Sequence, residues 1–372
     1  MSCCSAPGTK QTEPQKPCCP GGDSSQNVQD SVKQYYGKEL NTKDDIKTGV
    51  NCQMDLQMPK HVRQALGEVH DDVTIKYYGC GLVIPEAVEG CSVLDLGSGS
   101  GRDCFALSKL VGASGKVVGV DMTEEQLAVA RKHVDYHTEK FGYTEPNVEF
   151  VTGYIEKLGE AGLKDNTFDV IVSNCVVNLS PDKTAVLKEA HRVLKEGGEL
   201  YFSDIYTNTH LSDSIRKHRV LWGECISGAL QWEELYSTAK QVGFSQPRLV
   251  SGKMVDVSKF KDVLGDDAKF VSVTYRLFKL PSTLKSATKV TYKGGILGSC
   301  DELEFDHAVT FKKGEGKVVD AELATILSAS RFQTFFAFEN AGDATPVTSA
   351  PRIDPFKYVE DHGSSSIPCC CD

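Results

Sequence analysis

A glycine-rich loop is the first feature of this 372-residue chain that could carry chemistry. Residues Asp95–Gly101 read DLGSGSG between a predicted strand and a predicted helix, with glycine at Gly97, Gly99 and Gly101. Such a loop turns tightly and lets a ligand approach the backbone, and the helix N-terminus that follows favours negative charge. A dinucleotide loop requires glycine at its first, third and sixth positions. Counting from Gly97, the sixth position is Arg102, so a dinucleotide fits poorly.

Two polar residues extend this site along the predicted sheet. Asp121 stands twenty residues beyond Gly101, at the end of the next predicted strand. An acid at that position can accept hydrogen bonds from both hydroxyls of a ribose, so the loop and the acid together indicate an adenosine-type ligand. Asn174 ends the fourth predicted strand and is expected at the same crevice, because ligands bind at the carboxyl ends of parallel strands.

The cysteines are the second feature, and they number fourteen. Seven lie near the termini, and seven are spread through the body of the chain at Cys52, Cys80, Cys91, Cys104, Cys175, Cys225 and Cys300. No Cys-x-x-Cys pair occurs, so neither a local zinc site nor a thioredoxin-like motif is predicted. Cys80 precedes the strand region, Cys175 follows Asn174, and Cys225 is expected on one helix face with Leu221. A single cysteine is more often a buried apolar residue, but three near one crevice form a candidate site.

Composition limits the classes of protein to consider. Hydrophobic residues make up 40% and charged residues 25%, which is typical of a folded chain, and the length predicts two or three domains. With 51 acidic and 41 basic residues the net charge is −10, which argues against nucleic-acid binding. The sequence has no apolar run long enough to span a membrane and no secretory signal, so we expect a cytosolic protein with reduced thiols.

The elements that must position these residues change in type along the chain. Residues 27–90 are expected to form a small helical segment that carries Cys52 and Cys80, and residues 91–249 alternate strands and helices. That alternation predicts an α/β domain with a doubly wound, mostly parallel sheet. Residues 250–341 are expected to form an α+β domain, while residues 1–26 and 342–372 are expected to be flexible, cysteine-containing tails.

Several local predictions follow from the residue patterns. Strands are expected at 92–96, 116–120, 148–152, 168–173 and 199–203 in the α/β region, and at 270–280 in the C-terminal domain. Helices are expected at 102–111, 123–134, 183–194, 213–228 and 232–242. Thr123 and Gln126 have the spacing of a capping box, and Gly197-Gly198 would close the third of these helices.

The loop and its surroundings resemble the Rossmann-like class I S-adenosylmethionine-dependent methyltransferases. The resemblance rests on Asp95–Gly101, on Asp121-Met122, on the Gly153-Tyr154-Ile155-Glu156 turn and on the 193–198 segment VLKEGG. It implies that the three glycines line the methionine part of S-adenosyl-L-methionine and that Asp121 holds the ribose. It also implies that Met122, Ile155 and Glu156 border the adenine.

The methyl acceptor is suggested by what the crevice lacks. No arrangement of histidine and carboxylate predicts a general base, whereas cysteines come from three segments. Three thiolates suit a soft trivalent centre such as arsenite, in which each replaces one oxygen ligand. Trivalent arsenic retains a lone pair and can attack a sulfonium methyl group without a base.

Three longer motifs are similar to those of animal arsenite methyltransferases: KYYGCGLVIP at 76–85, VSNCVVNL at 172–179 and LWGEC at 221–225. The resemblance covers roughly residues 30–340. It implies that Cys175 and Cys225 bind arsenic, that Cys80 completes the ligand set, and that Cys52, on a mobile loop, joins a disulfide relay. Methylation oxidises arsenic formally, so a thiol reductant such as thioredoxin or glutathione would reset the relay. Arsenite or an arsenic–glutathione conjugate would be the acceptor, and methylated and dimethylated arsenicals the products.

Two other functions remain open from the residues alone. One is an S-adenosylmethionine-dependent methyltransferase of an organic small molecule, with incidental cysteines. The other is a protein that sequesters soft metals on a degenerate fold. Cys91 and Cys104 are expected to be packed, and Cys300 to be a surface thiol.

Overall fold

A mixed sheet of eight strands forms the centre of the computed structural model, which describes residues 24–40, 58–283, 285–342, 345–346 and 352–363. Seven strands follow the order β3-β2-β1-β4-β5-β8-β7, and β6 pairs with β5. The bounds are β1 Ser92–Leu96, β2 Lys116–Asp121, β3 Val148–Thr152, β4 Phe168–Asn174, β5 Leu194–Thr207, β6 Leu230–Gln231, β7 Arg248–Met254 and β8 Phe270–Phe278. Strands β1 to β6 pair in parallel, whereas β8 runs antiparallel to β5 and β7.

Helices cover both faces of this sheet because its inner strands are apolar on both sides. Within the described part of the chain they are α1 Ser24–Gln34, α2 Lys60–Gly67, α3 Asp71–Thr74, α4 Arg102–Val111, α5 Glu124–Lys132, α6 Val134–Lys140, α7 Lys183–Val193, α8 Asp213–Arg216, α9 Arg219–Gly223, α10 Trp232–Val242, α11 Lys261–Leu264, α12 Ala321–Ala329 and α13 Pro355–His362. One core cluster contains residues of α2, α4 and α5, and another contains residues of α7, α10 and α13. The doubly wound α/β fold is therefore confirmed.

The C-terminal part has a core of its own. Strands β9 Thr288–Tyr292, β12 Gly316–Val319 and β13 Phe336–Asn340 form a three-stranded sheet, and β10 Glu302–Asp306 pairs with β11 Val309–Lys312. Helix α12 packs its apolar residues onto this cluster. The strand expected at 270–280 lies elsewhere, in β8 of the central sheet, because its nine buried residues fit between β5 and β7. The boundary expected at residue 250 therefore does not coincide with the end of that sheet.

Four smaller expectations differ from the structure. The helix expected at 213–228 is divided into α8 and α9, and it ends at Gly223. The Thr123 side chain makes no capping hydrogen bond, and the helix expected at 123–134 ends at Lys132 before α6 begins. Gly197 and Gly198 do not close α7, which ends at Val193 and passes straight into β5. Gly197 has a φ of 77°, and a Cβ there would lie 1.9 Å from the Ala329 carbonyl oxygen. Close contact with the end of α12, and not helix capping, requires this glycine.

Helix α13 lies inside the stretch expected to be a flexible tail. Asp354 caps it by accepting from the Phe356 and Lys357 N–H groups, and Pro355 occupies its first turn. Phe356 and Val359 are buried in the core cluster of the central sheet. An Asp-Pro start and this spacing of apolar residues are the sequence signals for the helix. The seven cysteines of the two tails lie outside the described part of the chain.

Candidate functional site

A cleft of about 940 Å³, including its mouth to solvent, opens at the carboxyl ends of the parallel strands. Of the nine residues that the sequence predicts for cofactor binding, all but Gly101 line it. Gly101 instead caps α4 with a φ of 90°, and a Cβ there would lie 2.7 Å from the Phe150 ring. Because Gly101 has no side chain, α4 can pack closely on the sheet. Gly101 therefore supports the loop and does not line the cleft.

Asp121 is fixed by the glycine loop itself. One carboxylate oxygen accepts from the Gly99 N–H at 2.9 Å, and the other accepts from the Thr123 N–H at 2.7 Å. Burial raises the pKa of Asp121, and the backbone donors act in the opposite direction. The carboxylate therefore stands at the end of β2 with lone pairs left to accept hydrogen bonds from a ligand.

Asp95 lies deeper, beneath the same loop. It is buried, and the Cys104 thiol donates to its carboxylate at 3.2 Å. Burial, together with the nearby Asp103, raises the pKa of Asp95 to about 8. The side chain is thus mainly protonated and neutral at pH 7, which suits a group that supports the loop from below.

Met122, Ile155 and Glu156 line another part of the cleft, which thus has two apolar side chains and one carboxylate. The Ser180 hydroxyl donates to Glu156 at 2.5 Å, and the Gln29 side chain donates to the same oxygen at 3.4 Å. A flat heterocycle would meet two apolar side chains and one carboxylate there. The family resemblance implies that these three residues border the adenine, and their role remains a prediction.

Asn174 ties the end of β4 to the segment that carries Cys80. Its side-chain oxygen accepts from the Cys80 and Gly81 N–H groups at 3.0 and 3.1 Å. Its amide nitrogen donates to the Tyr77 hydroxyl, the Gly81 carbonyl and Asp103. A single side chain therefore holds residues 77–81 against the strand end while it also lines the cleft.

Three of the four candidate cysteines lie close together near Asn174. Cys80 and Cys175 form a disulfide bond, with their Cα atoms 5.8 Å apart. The sulfur atoms of Cys175 and Cys225 and a carboxylate oxygen of Asp204 all lie within 4.8 Å of one another, and the three residues are buried. Cys175 lines the cleft, so this cysteine cluster (Cys80, Cys175 and Cys225) adjoins the predicted cofactor site. Cys52 lies outside the described residues.

The backbone presents two of these thiols in unusual conformations. Cys175 and Cys225 have φ angles of 57° and 61°, and only four described residues other than glycine have positive φ. Such conformations are uncommon and cluster at functional sites. The expectation that Cys225 shares a helix face with Leu221 was wrong, because α9 ends at Gly223 and Cys225 follows it in a turn. The Cys225 thiol donates to the Cys175 carbonyl at 2.9 Å.

Buried ionisable groups surround Cys225, and the sequence did not single them out. Burial, followed by the charges of Asp204 and Glu224, raises the pKa of Cys225 well above its ordinary value. Asp204 accepts from the Asn178 and Ile205 N–H groups, and burial raises its pKa to about 7. Asp204 interrupts the buried β5 run next to Ser203, which pairs with Asn174. An acidic residue in an otherwise apolar strand, next to the residue that pairs with Asn174, is the sequence signal that could have identified Asp204.

The other cysteines of the described residues match their expected surroundings. Cys91 and Cys104 are buried, whereas Cys300 is exposed in the C-terminal part. No helix among the described residues is long and apolar enough to cross a membrane.

Comparison with known proteins agrees with this geometry. Residues 87–243 match a family model described as a methyltransferase domain, and residues 285–372 match one described as an arsenite methyltransferase C-terminal domain. The human arsenite methyltransferase is 49% identical over 356 residues, which cover 93% of this chain and 95% of the human protein. The Aquipseudomonas alcaligenes enzyme of the same name is 48% identical over 317 residues, which cover 84% of this chain and 90% of the bacterial protein.

A solved structure shares the fold over most of the chain. The crystal structure of an arsenic(III) S-adenosylmethionine methyltransferase from Chlamydomonas reinhardtii superposes with a TM-score of 0.73 at 41% identity. It covers 77% of this chain and 97% of the algal chain. Because the bacterial relative is about as similar as the human one, these similarities do not single out the animal members. The chain belongs to the arsenite methyltransferase family.

Proposed function

We propose that this protein transfers the methyl group of S-adenosyl-L-methionine to trivalent arsenic held by the thiolates of Cys175 and Cys225. The observation that carries the proposal is the place of the two sulfur atoms. They lie within 4.8 Å of each other, and Cys175 lines the cleft that contains Asp121 and the glycine loop. A soft trivalent centre bound by both sulfurs would sit beside the cofactor.

The residues of the cleft fit the cofactor. Asp121 retains lone pairs for two ribose hydroxyls, and Glu156 can accept from the adenine amino group while Met122 and Ile155 pack on the ring. The loop between Gly97 and Gly99 gives the amino-acid part close access to the backbone. When bound, the cofactor supplies an electrophilic methyl group on a sulfonium. The chain's residues orient it and exclude water.

The acceptor side needs no general base under this proposal. No histidine is among the described residues that line the cleft. The arsenic lone pair attacks carbon directly, so the work of the protein is to align donor and acceptor. Each cysteine thiol that binds arsenic displaces one hydroxide or thiolate ligand, and the thiol proton leaves with that ligand as water or as a free thiol.

The disulfide between Cys80 and Cys175 supports the proposed relay. Transfer of CH3+ to the lone pair raises arsenic formally from the trivalent to the pentavalent state. Two cysteine thiolates that join as a disulfide return two electrons and restore trivalent arsenic. Two thiols of thioredoxin or glutathione then reduce that disulfide and become a disulfide themselves. We propose Cys52, which lies outside the described residues, as the further relay cysteine that exchanges with this pair.

The cellular setting is proposed on the same chemistry. Free thiols and a reductant are maintained in the cytosol, so we propose that compartment and either arsenite or its glutathione conjugate as the acceptor. The products would be methylated and dimethylated arsenicals. A dimethylated product leaves one thiolate bond to arsenic, which the reductant can displace.

The direct test incubates the purified full chain with S-adenosylmethionine, arsenite and glutathione, followed by chromatographic speciation of arsenic. We expect methylated arsenic that accumulates with time and one S-adenosylhomocysteine for each methyl transferred. Cofactor binding without methylated arsenic would favour an organic acceptor. Arsenic binding without cofactor binding would favour sequestration. Either result contradicts the proposal.

A further inference from the structure

The N-terminal helix α1 and the turn after it cover the cleft and the cysteine cluster together. Gln29 and Val32 of α1 line the cleft, and Tyr35–Glu39 form one turn of π-helix. Turns of this rare type are frequent at functional sites. The Gln126 side chain donates to the Tyr36 carbonyl at 3.0 Å, which fixes the turn over the cleft.

The two tyrosines of this turn reach the segment that ends at Cys225. The Tyr36 hydroxyl donates to the Gly223 carbonyl at 2.7 Å, and Tyr36 packs against the buried cluster that contains Cys225. The Tyr35 hydroxyl donates to Glu224 at 2.5 Å. Burial raises the pKa of Tyr36 well above its ordinary value, so its hydroxyl remains a donor at neutral pH.

Tyr36 differs from Tyr35 in what its ring contacts. Tyr36 lines the cleft and meets the Tyr78 ring edge-on, with ring centroids 5.6 Å apart, whereas Tyr35 is not part of the lining. Cys225 is 3% exposed and does not line the cleft either. The Tyr36 side chain therefore borders the space that would hold the cofactor, and it packs against the buried cluster that contains Cys225.

We propose that Tyr36 is a positioning and selectivity residue, whose hydroxyl fixes the Gly223–Cys225 turn and whose ring limits the size of substituents on the bound arsenic. The inference rests on the proposed arsenic site at Cys175 and Cys225. A rigid aromatic wall beside the acceptor would favour an arsenic atom with a methyl group over one with a bulky group. Differences of this kind in an apolar pocket change relative rates by roughly 10- to 200-fold for each methylene-sized change.

The test compares two trivalent acceptors, methylarsonous acid and phenylarsonous acid, by their kcat/KM ratio. For Tyr36→Leu and Tyr36→Ala, which remove the ring, we expect the phenyl-to-methyl ratio to rise by about 10-fold or more. Tyr36→Phe keeps the ring and loses the hydroxyl. For that variant we expect an unchanged ratio and a KM for both arsenicals raised by about 3- to 10-fold, with cofactor affinity within about twofold of wild type.

Tyr35→Phe is the matched control, since it also removes a buried hydroxyl next to Cys225 without altering the cleft lining. We expect its ratio to equal that of the wild type. Thermal unfolding and cofactor binding identify variants that fold, and Tyr36→Leu replaces Tyr36→Ala if the latter does not. An unchanged ratio in a folded Tyr36→Leu protein, or an equal shift in Tyr35→Phe, overturns the inference. If the wild type methylates neither acceptor, the result overturns the proposed function and not this inference alone.

Discussion

The two halves of the cleft are built in opposite ways. The cofactor half comes from one run of sequence, 95–156, in which a glycine loop and two strand ends are placed by the parallel sheet. The acceptor half gathers Tyr36, Cys80, Cys175 and Cys225 from segments separated by dozens of residues. Cys175 and Cys225 have positive φ, Tyr36 lies in a π-helical turn, and Cys80 lies in an irregular segment outside helices and strands.

This difference corresponds to two tasks. The cofactor half has to bind a ligand in a fixed geometry, whereas the acceptor half has to change its geometry during the reaction. A cofactor that is bound and released unchanged in its adenosine part is served by a fixed cradle on strand ends. Arsenic ligands, in contrast, must form and break bonds to arsenic and to each other. Turns and loops can move to bring sulfur atoms together in more than one pairing, whereas residues on strands cannot. A substitution in one half should therefore impair the binding function of that half and leave that of the other half largely unchanged.

Loss of an arsenic ligand should have the largest effect. For Cys225→Ser and for Cys175→Ser we expect arsenite methylation to fall by at least about 100-fold, because even partners that only support a ligand are worth about 10- to 100-fold. Affinity for S-adenosylmethionine, measured by calorimetry, should stay within about twofold of wild type. Cys300→Ser, an exposed thiol in the C-terminal part, is the control and should retain full activity. Full turnover by either site variant would contradict the assignment.

Loss of the ribose acid should give the reverse pattern. For Asp121→Ala we expect the cofactor Kd to rise by about 10- to 100-fold, since hydrogen bonds to a charged partner contribute about 1.5–3 kcal/mol. Arsenic bound for each reduced chain should not change. A parallel loss of arsenic binding would mean that the two halves are not independent.

The relay cysteines should distinguish two substrates. For Cys80→Ser and Cys52→Ser we expect loss of arsenite methylation, with activity of about a tenth or more retained on a monomethylated acceptor, which takes only two thiolates. Speciation of the products from each substrate measures the split. Equal loss on both substrates would remove Cys80 from its proposed role.

Asn174 joins the two halves, so its effect should be smaller and shared. In Asn174→Ala the N–H groups of Cys80 and Gly81 lose their acceptor, and leaving a buried group unpaired costs about 1–3 kcal/mol. We expect a lower denaturant midpoint and slower formation of the Cys80–Cys175 disulfide, by about threefold to tenfold. A change in cofactor affinity alone would show that Asn174 serves only one half.

Asp95 should have the smallest effect on turnover, and its signal should appear in the pH dependence of stability. Its folded pKa of about 8 lies above the ordinary value near 3.8, so the native state holds a proton that the unfolded chain releases. Its contribution to stability is therefore present at acid pH and is lost as pH rises from about 4 through 8, at no more than about 1.4 kcal/mol for each pH unit. Asp95→Asn should flatten this slope in urea unfolding. A slope that persists in this variant would assign it to other groups.

What the sequence could predict follows the same division. The strand–loop–helix of the cofactor half obeys local rules, and β1, α4 and β3 begin and end where their patterns predict. The acceptor half depends on long-range placement. The sequence predicts a helix at Cys225 because Leu221 and Cys225 are four residues apart, a spacing that is also compatible with the turn that follows α9. Tyr36 belongs to none of the motifs used above, and the only signal for Asp204 is its polarity within an apolar strand. The place of β8 in the central sheet was missed because pairing partners are not encoded in a strand's own pattern.

The most direct test of the central claim is the arsenic X-ray absorption spectrum of the reduced full chain loaded with one equivalent of arsenite. In the wild type we expect arsenic to be coordinated by sulfur. In Cys225→Ser and in Cys175→Ser we expect one sulfur ligand to be replaced by oxygen, and in Cys300→Ser we expect no change. An identical sulfur shell in the wild type and in both site variants would place arsenic on other cysteines and contradict the account.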